Sequence, residues 1–221
     1  MTPPVPPSHP RHEKPVLEVQ AWLVDLDGTL YSAPPMKRRM ALELALGGLM
    51  RARLLSQFRQ VHEELREQQK QDPLVSFGSS PYEEQLQRTA TRFDKSVDEV
   101  RTIVTEWMIE RPCKHLRGVR RESLVEEIRA FKAGGGKLAV VSDYPVERKL
   151  AALEVRDLFD VVVGNGETIG LSRIKPAPDG YLLAARLLDC PPEHCLVLGD
   201  RDDADGAAAR AAGMRFRHVV G

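Results

Sequence analysis

Two aspartates separated by one residue are the most chemically suggestive feature of this 221-residue sequence. Asp25 and Asp27 follow the apolar run 21–24, which predicts a buried strand, and they precede Gly28, where a turn is expected. Side chains two apart on a strand share a face, so both carboxylates are expected on one side. Two close anions repel unless a cation bridges them or one holds a proton. The pair therefore predicts a divalent metal site, or a nucleophile beside a general acid.

Three further segments place polar residues where predicted strands or helices begin or end. A second predicted strand ends at Ser142 and Asp143, Lys175 precedes a predicted helix, and another predicted strand ends at Asp200. In parallel sheets covered by helices, ligands bind at the carboxyl ends of the strands. We therefore expect Asp25, Ser142 and Asp200 to converge.

Together these segments resemble the four motifs of the haloacid dehalogenase-like (HAD) superfamily. Those motifs are Asp-x-Asp-Gly-Thr-Leu, a Ser or Thr, a Lys, and an acidic Gly-Asp cluster, and the resemblance covers roughly residues 18–220. It implies that Asp25 is the nucleophile and that Asp27 is the general acid and base. It also implies that magnesium is held by Asp25, Asp27 (through its main-chain carbonyl) and Asp200.

The resemblance assigns phosphate binding to Ser142, Asp143 and Lys175, although Asp143 could instead cap the helix expected after Pro145. A supporting acid is expected four or five positions after the first acid of the cluster. The four-step position is an alanine, so Asp205 is the predicted supporting acid, and Asp203 is the fallback.

The superfamily contains dehalogenases, phosphatases and phosphomutases. Asp27 argues against dehalogenation, because carbon–halogen cleavage has no leaving oxygen to protonate. The expected activity is that of a hydrolase, a magnesium-dependent phosphatase that cleaves a small phosphomonoester through an aspartyl-phosphate. The pattern resembles the phosphoglycolate phosphatase and β-phosphoglucomutase types with a helical cap. Two alternatives stay open: a phosphomutase, and a non-catalytic binding or regulatory protein.

About a hundred residues with helical periodicity separate the first two predicted strands. Leu54, Phe58, Val61 and Leu65 recur every three or four positions, and Ser80 and Ser96 each begin a capping-box pattern. Pro112 is expected to end the last of these helices. Beyond it, strands and helices alternate, which predicts an α/β fold: a Rossmann-like parallel sheet with helices on both faces, plus an inserted all-helical cap domain.

The predicted organisation is a disordered Pro-rich leader at 1–15, a core domain at 16–32 and 115–221, and a cap domain at 33–114. Basic and acidic residues number 32 each, so net charge gives no case for a nucleic-acid or membrane partner. The expected partner is a small phosphorylated metabolite. No apolar run approaches the ~20 residues of a membrane span. Three cysteines without a disulfide pattern favour the cytoplasm.

Overall fold

The computed structural model describes residues 18–47, 49–78 and 80–220. The predicted leader at 1–15 lies outside these residues. Within them, five parallel strands form one sheet in the order β3-β2-β1-β4-β5. The strands are β1 (Ala21–Val24), β2 (Lys137–Ser142), β3 (Val161–Gly164), β4 (Cys195–Gly199) and β5 (Arg215–His218).

Nine α-helices are assigned in the same part of the chain, six of them between β1 and β2. The first five are α1 (Ala33–Gly47), α2 (Leu49–Gln71), α3 (Pro81–Phe93), α4 (Val97–Val104) and α5 (Arg111–Leu116). The remaining four are α6 (Glu122–Ala133), α7 (Glu147–Ala152), α8 (Asp179–Leu187) and α9 (Ala207–Ala211). None of the described helices is long and apolar enough to cross a bilayer.

The sheet is buried on both faces because alternate side chains of its strands enter two different apolar clusters. Leu138 and Val140 of β2 pack in a cluster with α6 and α7, whereas Ala139 and Val141 pack in another with α8 and α9. Such near-continuous apolar strands are typical of parallel sheets covered by helices. The predicted α/β fold with helices on both faces is confirmed.

Helices α1 to α4 share an apolar cluster of their own, built from Leu54, Phe58, Leu86, Val104 and Trp107 among others. The helical insertion expected from the sequence is thus present. The two predicted helix starts are also confirmed: Ser80 caps α3, and Ser96 forms a capping box at the start of α4.

The predicted end of a helix at Pro112 is wrong, because helical structure runs on through this residue. The π-helical stretch Thr105–Glu110 leads into α5, and the Arg111 N–H donates to the carbonyl of Glu106. Pro112 therefore lies in the first turn of a new α-helical segment. Proline is tolerated there because its missing N–H has no partner to lose.

Candidate active site

Asp25 lies just beyond the central strand and is buried. Its main-chain N–H donates to the Leu198 carbonyl of β4 at 2.8 Å. Its Oδ1 accepts from Lys175 Nζ at 2.5 Å, and its Oδ2 accepts from the Thr29 hydroxyl at 3.0 Å. Burial raises the pKa of Asp25 well above its usual value, although Lys175 acts in the opposite direction. The carboxylate is thus fixed in place and lies beside one buried cation.

Gly28 brings the acidic cluster after β4 close to the turn that follows Asp25. Its φ of +98° lies in the region that favours glycine, and a Cβ on it would come within 2.1 Å of Asp200 Oδ2. Any larger residue would push the Asp200 carboxylate away. The glycine of the first motif therefore has a steric reason to be there.

Asp205 and Lys175 form a buried ion pair behind Asp25. Lys175 Nζ lies 2.7 Å from Asp205 Oδ1, which also accepts from the Tyr181 hydroxyl at 2.9 Å. A wide turn brings Asp205 there, because three successive N–H groups, at 204, 205 and 206, donate to the Arg201 carbonyl. Helix α9 consequently begins only after this turn, at Ala207. Burial alone would lower the pKa of Lys175, but Asp205 and Asp25 raise it well above its usual value.

Asp203, the fallback for the supporting acid, lies elsewhere. Its side chain is 67% exposed and pairs with Arg201, with the shorter contact at 2.6 Å. The Asp205 side chain, by contrast, is 3% exposed and contacts Lys175 directly. The structure thus brings Asp205 into the site and leaves Asp203 on the surface.

Three carboxylates could hold a metal ion at this point. Asp25, Asp200 and Asp205 each offer an oxygen, and these oxygens lie within 4.8 Å of one another. Burial raises the pKa of Asp200, and the charge of Asp205 raises it further. A hard divalent cation such as Mg²⁺ prefers oxygen ligands and would offset this repulsion. The donor set therefore fits magnesium, with Asp205 in the close group alongside the predicted Asp25 and Asp200.

The side chain of Asp27 is held apart from these three carboxylates. Lys149 Nζ contacts both of its oxygens, at 2.7 and 2.8 Å, and the Tyr31 hydroxyl donates to Oδ1 at 2.6 Å. Lys149 is buried although it is a lysine. Burial raises the pKa of Tyr31 well above its usual value, and the neighbouring Asp27 raises it further. Both partners of Asp27 were missed by the sequence analysis, and a lysine on an otherwise apolar helix face is only a weak signal.

Ser142 ends β2 and Asp143 follows it, as expected, but the Asp143 side chain is already engaged by other residues. Its oxygens accept from the Lys175 N–H at 3.1 Å and lie 3.5 Å from Arg66 Nη2 and 3.6 Å from His62 Nε2. Burial alone would raise the pKa of Asp143, but His62, Lys175 and Arg66 together lower it. The expected alternative, a cap on the helix after Pro145, is wrong. Glu167 fills that role, because its Oε2 accepts from the Val146 N–H at 2.8 Å.

Helix α2 of the insertion also contacts the segment that carries Lys175. Gln69 pairs with both main-chain groups of Ile174, accepting from the N–H at 3.0 Å and donating to the carbonyl at 2.7 Å. Arg66 Nε donates to the Lys175 carbonyl at 3.1 Å. The sequence analysis did not single out Arg66. The signal that could have found it was a row of polar residues on α2, spaced about one helical turn apart and next to the apolar stripe of that helix.

The site opens into a cavity of about 530 Å³ between the sheet edge and the inserted helices. Every predicted site residue borders it: Asp25, Asp27, Ser142, Asp143, Lys175, Asp200 and Asp205. The inserted helices contribute most of the remaining wall. A buried carboxylate, a cation and a cluster of acids around one cavity can support attack on an electrophile and stabilise negative charge.

Comparison of the sequence with known protein families identifies the family of this chain. Residues 19–213 match the haloacid dehalogenase-like hydrolases. The chain belongs to this family. The resemblance inferred from the four motifs is therefore confirmed, and so is the expectation that the protein is a hydrolase.

Among relatives within this HAD family, a putative pyrophosphatase PpaX from Caldanaerobacter subterraneus subsp. tengcongensis is 39% identical over 98 residues, 43% of each chain. A phosphoglycolate phosphatase from Escherichia coli O157:H7 is 28% identical over 218 residues, covering 89% of this chain and 79% of the relative. The chain thus matches under half the length of the first relative and most of the second.

The fold is similar to that of solved HAD-family structures. CbbY from Rhodobacter sphaeroides, determined in complex with phosphate, is 25% identical with a TM-score of 0.55. The match covers 90% of this chain and 84% of CbbY.

Proposed function

We propose that this hydrolase is a magnesium-dependent phosphatase that cleaves a small phosphomonoester through an aspartyl-phosphate intermediate. The observation that carries the proposal is the position of Asp25. Its carboxylate is buried against Lys175 and shares the acidic cluster with Asp200 and Asp205. The phosphoglycolate phosphatase relative and the phosphate-bound CbbY neighbour support a phosphoryl substrate.

In the proposed first step, an Asp25 oxygen attacks phosphorus, and the bond from phosphorus to the alcohol oxygen breaks. Asp27 gives its proton to that oxygen, so that the neutral alcohol leaves. Lys175 and the Ser142 hydroxyl stabilise the phosphoryl oxygens, while Asp205 keeps Lys175 in place. Bound magnesium would supply further positive charge at the phosphoryl group.

In the second step, Asp27 takes a proton from water, and the water oxygen attacks phosphorus. Inorganic phosphate forms, and the Asp25 carboxylate is regenerated. The Lys149 and Tyr31 contacts hold Asp27 in one orientation between these proton transfers. Asp143, whose oxygens are already occupied, contributes to phosphate binding by fixing the Lys175 main chain, since a carboxylate would repel the substrate.

We further propose that residues 33–114 act as a cap on a core formed by 16–32 and 115–221. The hinges would lie near 32–35, where α1 begins, and near 113–118, where α5 ends, and opening would release the product. A cytoplasmic location fits the three cysteines, all of which are unpaired.

The test is a panel of phosphorylated metabolites incubated with the purified protein in magnesium and in EDTA. Phosphate release should require the metal, and Asp25→Asn should abolish it. Full activity in EDTA would contradict the metal assignment. If an isomeric phosphate ester accumulates in place of inorganic phosphate, the protein is a phosphomutase.

A further inference from the structure

The part of the cavity away from the acids has an apolar wall. Six side chains of the inserted helices contribute to it: Met36, Met40, Leu44, Leu55, Trp107 and Met108. A ligand pocket of this volume, about 530 Å³, is within the usual range for organic ligands of drug size. Met40, Leu44 and Met108 are half-buried, and a two-carbon leaving group would leave their apolar surface in contact with water.

Trp107 adds an unpaired hydrogen-bond donor to this wall. The residue is 3% exposed, and its Nε1 has no hydrogen-bond partner among the residues that the structure describes. One face of the ring is covered by the Arg111 guanidinium, 4.1 Å from the ring centroid. Because Nε1 has no accessible surface, a ligand in the cavity does not reach it, and this side of the wall offers apolar contacts only.

The cations around the cavity do not favour a second anionic group on the substrate. Arg66 and His62 are buried, but both lie against the carboxylate of Asp143, and Arg66 also binds Glu63 at 2.8 Å. Lys37 and Arg59 border the cavity with exposed side chains, where solvent weakens their attraction for an anion. The cavity wall therefore favours an apolar group on the substrate over a second anionic group.

We infer that the preferred substrate is a phosphomonoester whose alcohol carries a bulky apolar group, which packs on Met40 and Leu44. This inference rests on the proposed phosphatase function and specifies its substrate class. The apolar group displaces water from the apolar wall.

A series of primary alkyl phosphates tests the inference through kcat/KM at saturating magnesium. The series is 2-phosphoglycolate, ethyl phosphate and 2-phenylethyl phosphate. Burying one methylene improves binding about fourfold, so the phenyl ester should exceed ethyl phosphate and 2-phosphoglycolate by at least about tenfold.

One variant locates the effect, and it has a matched comparison. Leu44→Glu places a charge in the apolar wall and should lower kcat/KM about tenfold more for 2-phenylethyl phosphate than for 2-phosphoglycolate. Leu42→Glu on the same helix is the control, because Leu42 is 67% exposed and outside the cavity.

Binding gives a readout that is independent of turnover. The Asp25→Asn variant should bind 2-phenylethyl phosphate at least about tenfold more tightly than 2-phosphoglycolate in calorimetric titrations. Equal or better binding and turnover of 2-phosphoglycolate would overturn the inference and leave the phosphatase proposal intact. Hydrolysis of no phosphomonoester in any screen would instead overturn the phosphatase proposal itself.

Discussion

Replacing Asp205 with asparagine tests whether the buried ion pair with Lys175 supports the site. Asparagine has nearly the same shape and retains an oxygen that can accept from the Tyr181 hydroxyl, now 2.9 Å from Asp205. What it removes is the charge that faces Lys175 Nζ at 2.7 Å. The perturbation is therefore mainly electrostatic and leaves the packing unchanged.

The expected loss of unfolding free energy follows from the local partners. Removing one member of a buried ion pair costs about 3–5 kcal/mol when the other is left alone. In the variant, Lys175 still has the Asp25 carboxylate as an ion-pair partner, at 2.5 Å. The loss of the Asp205 charge also removes the repulsion between Asp205 and the carboxylates of Asp25 and Asp200. Both effects reduce the cost, so we expect about 2 kcal/mol.

Asp203→Asn is the matched control, since its side chain is 67% exposed and its pair with Arg201 lies on the surface. It should cost less than about 1 kcal/mol. Urea unfolding of both variants, with and without magnesium, measures the difference. Magnesium should stabilise the wild type and Asp203→Asn more than Asp205→Asn. Equal unfolding curves and equal magnesium titrations for the two variants would refute the assignment, and a larger defect in Asp203→Asn would reverse it.

Two other predictions concern contacts away from the metal site. Gln69→Leu leaves both main-chain groups of Ile174 unpaired, and we expect it to destabilise the protein by about 2 kcal/mol and to lower kcat. Gln68→Leu, at an exposed neighbouring position, is the control and should change neither the stability nor kcat. Equal effects of the two variants in unfolding and kinetic assays would contradict the role of Gln69. Burial, with Cys190 nearby, raises the pKa of Cys195 to about 12, so its thiolate is scarce at pH 8 and becomes common only as the pH approaches that value. Mass mapping after alkylation at pH 8 should therefore find Cys195 unmodified until urea is added; rapid labelling in the native protein would argue against this packing.

The sequence was sufficient for those parts of the site that depend on local patterns. Short apolar runs predicted the strands, and the ends of β1, β2 and β4 located Asp25, Ser142 and Asp200. The five-residue step that favoured Asp205 also has a local origin, because the wide turn after Arg201 carries that side chain to Lys175. Short-range geometry is what residue spacing encodes.

The contacts that were missed join residues far apart in the chain. Lys149 is 122 positions from Asp27, and Arg66 is 109 positions from Lys175. A lysine in a helix or an arginine among charged neighbours is ordinarily a solvated surface residue, so residue type alone gave no reason to bury either. Only the packing of α2 and α7 against the sheet edge determines these pairs. The prediction that a helix ends at Pro112 was wrong for a related reason, because the π-helical stretch before this residue is not encoded by any short motif.

The most direct test of the central proposal is to trap the intermediate on Asp25. Asp27→Asn should slow the release of the phosphoryl group by about 10²–10⁴-fold, because general base help is lost. With magnesium and an aryl phosphate, whose leaving group needs little protonation, the variant should accumulate a phosphorylated protein. Peptide mapping by mass spectrometry at acidic pH should place one phosphoryl group on Asp25, and the additional change Asp25→Asn should remove it. Phosphorylation at another residue, or turnover by Asp25→Asn at the wild-type rate, would contradict the account.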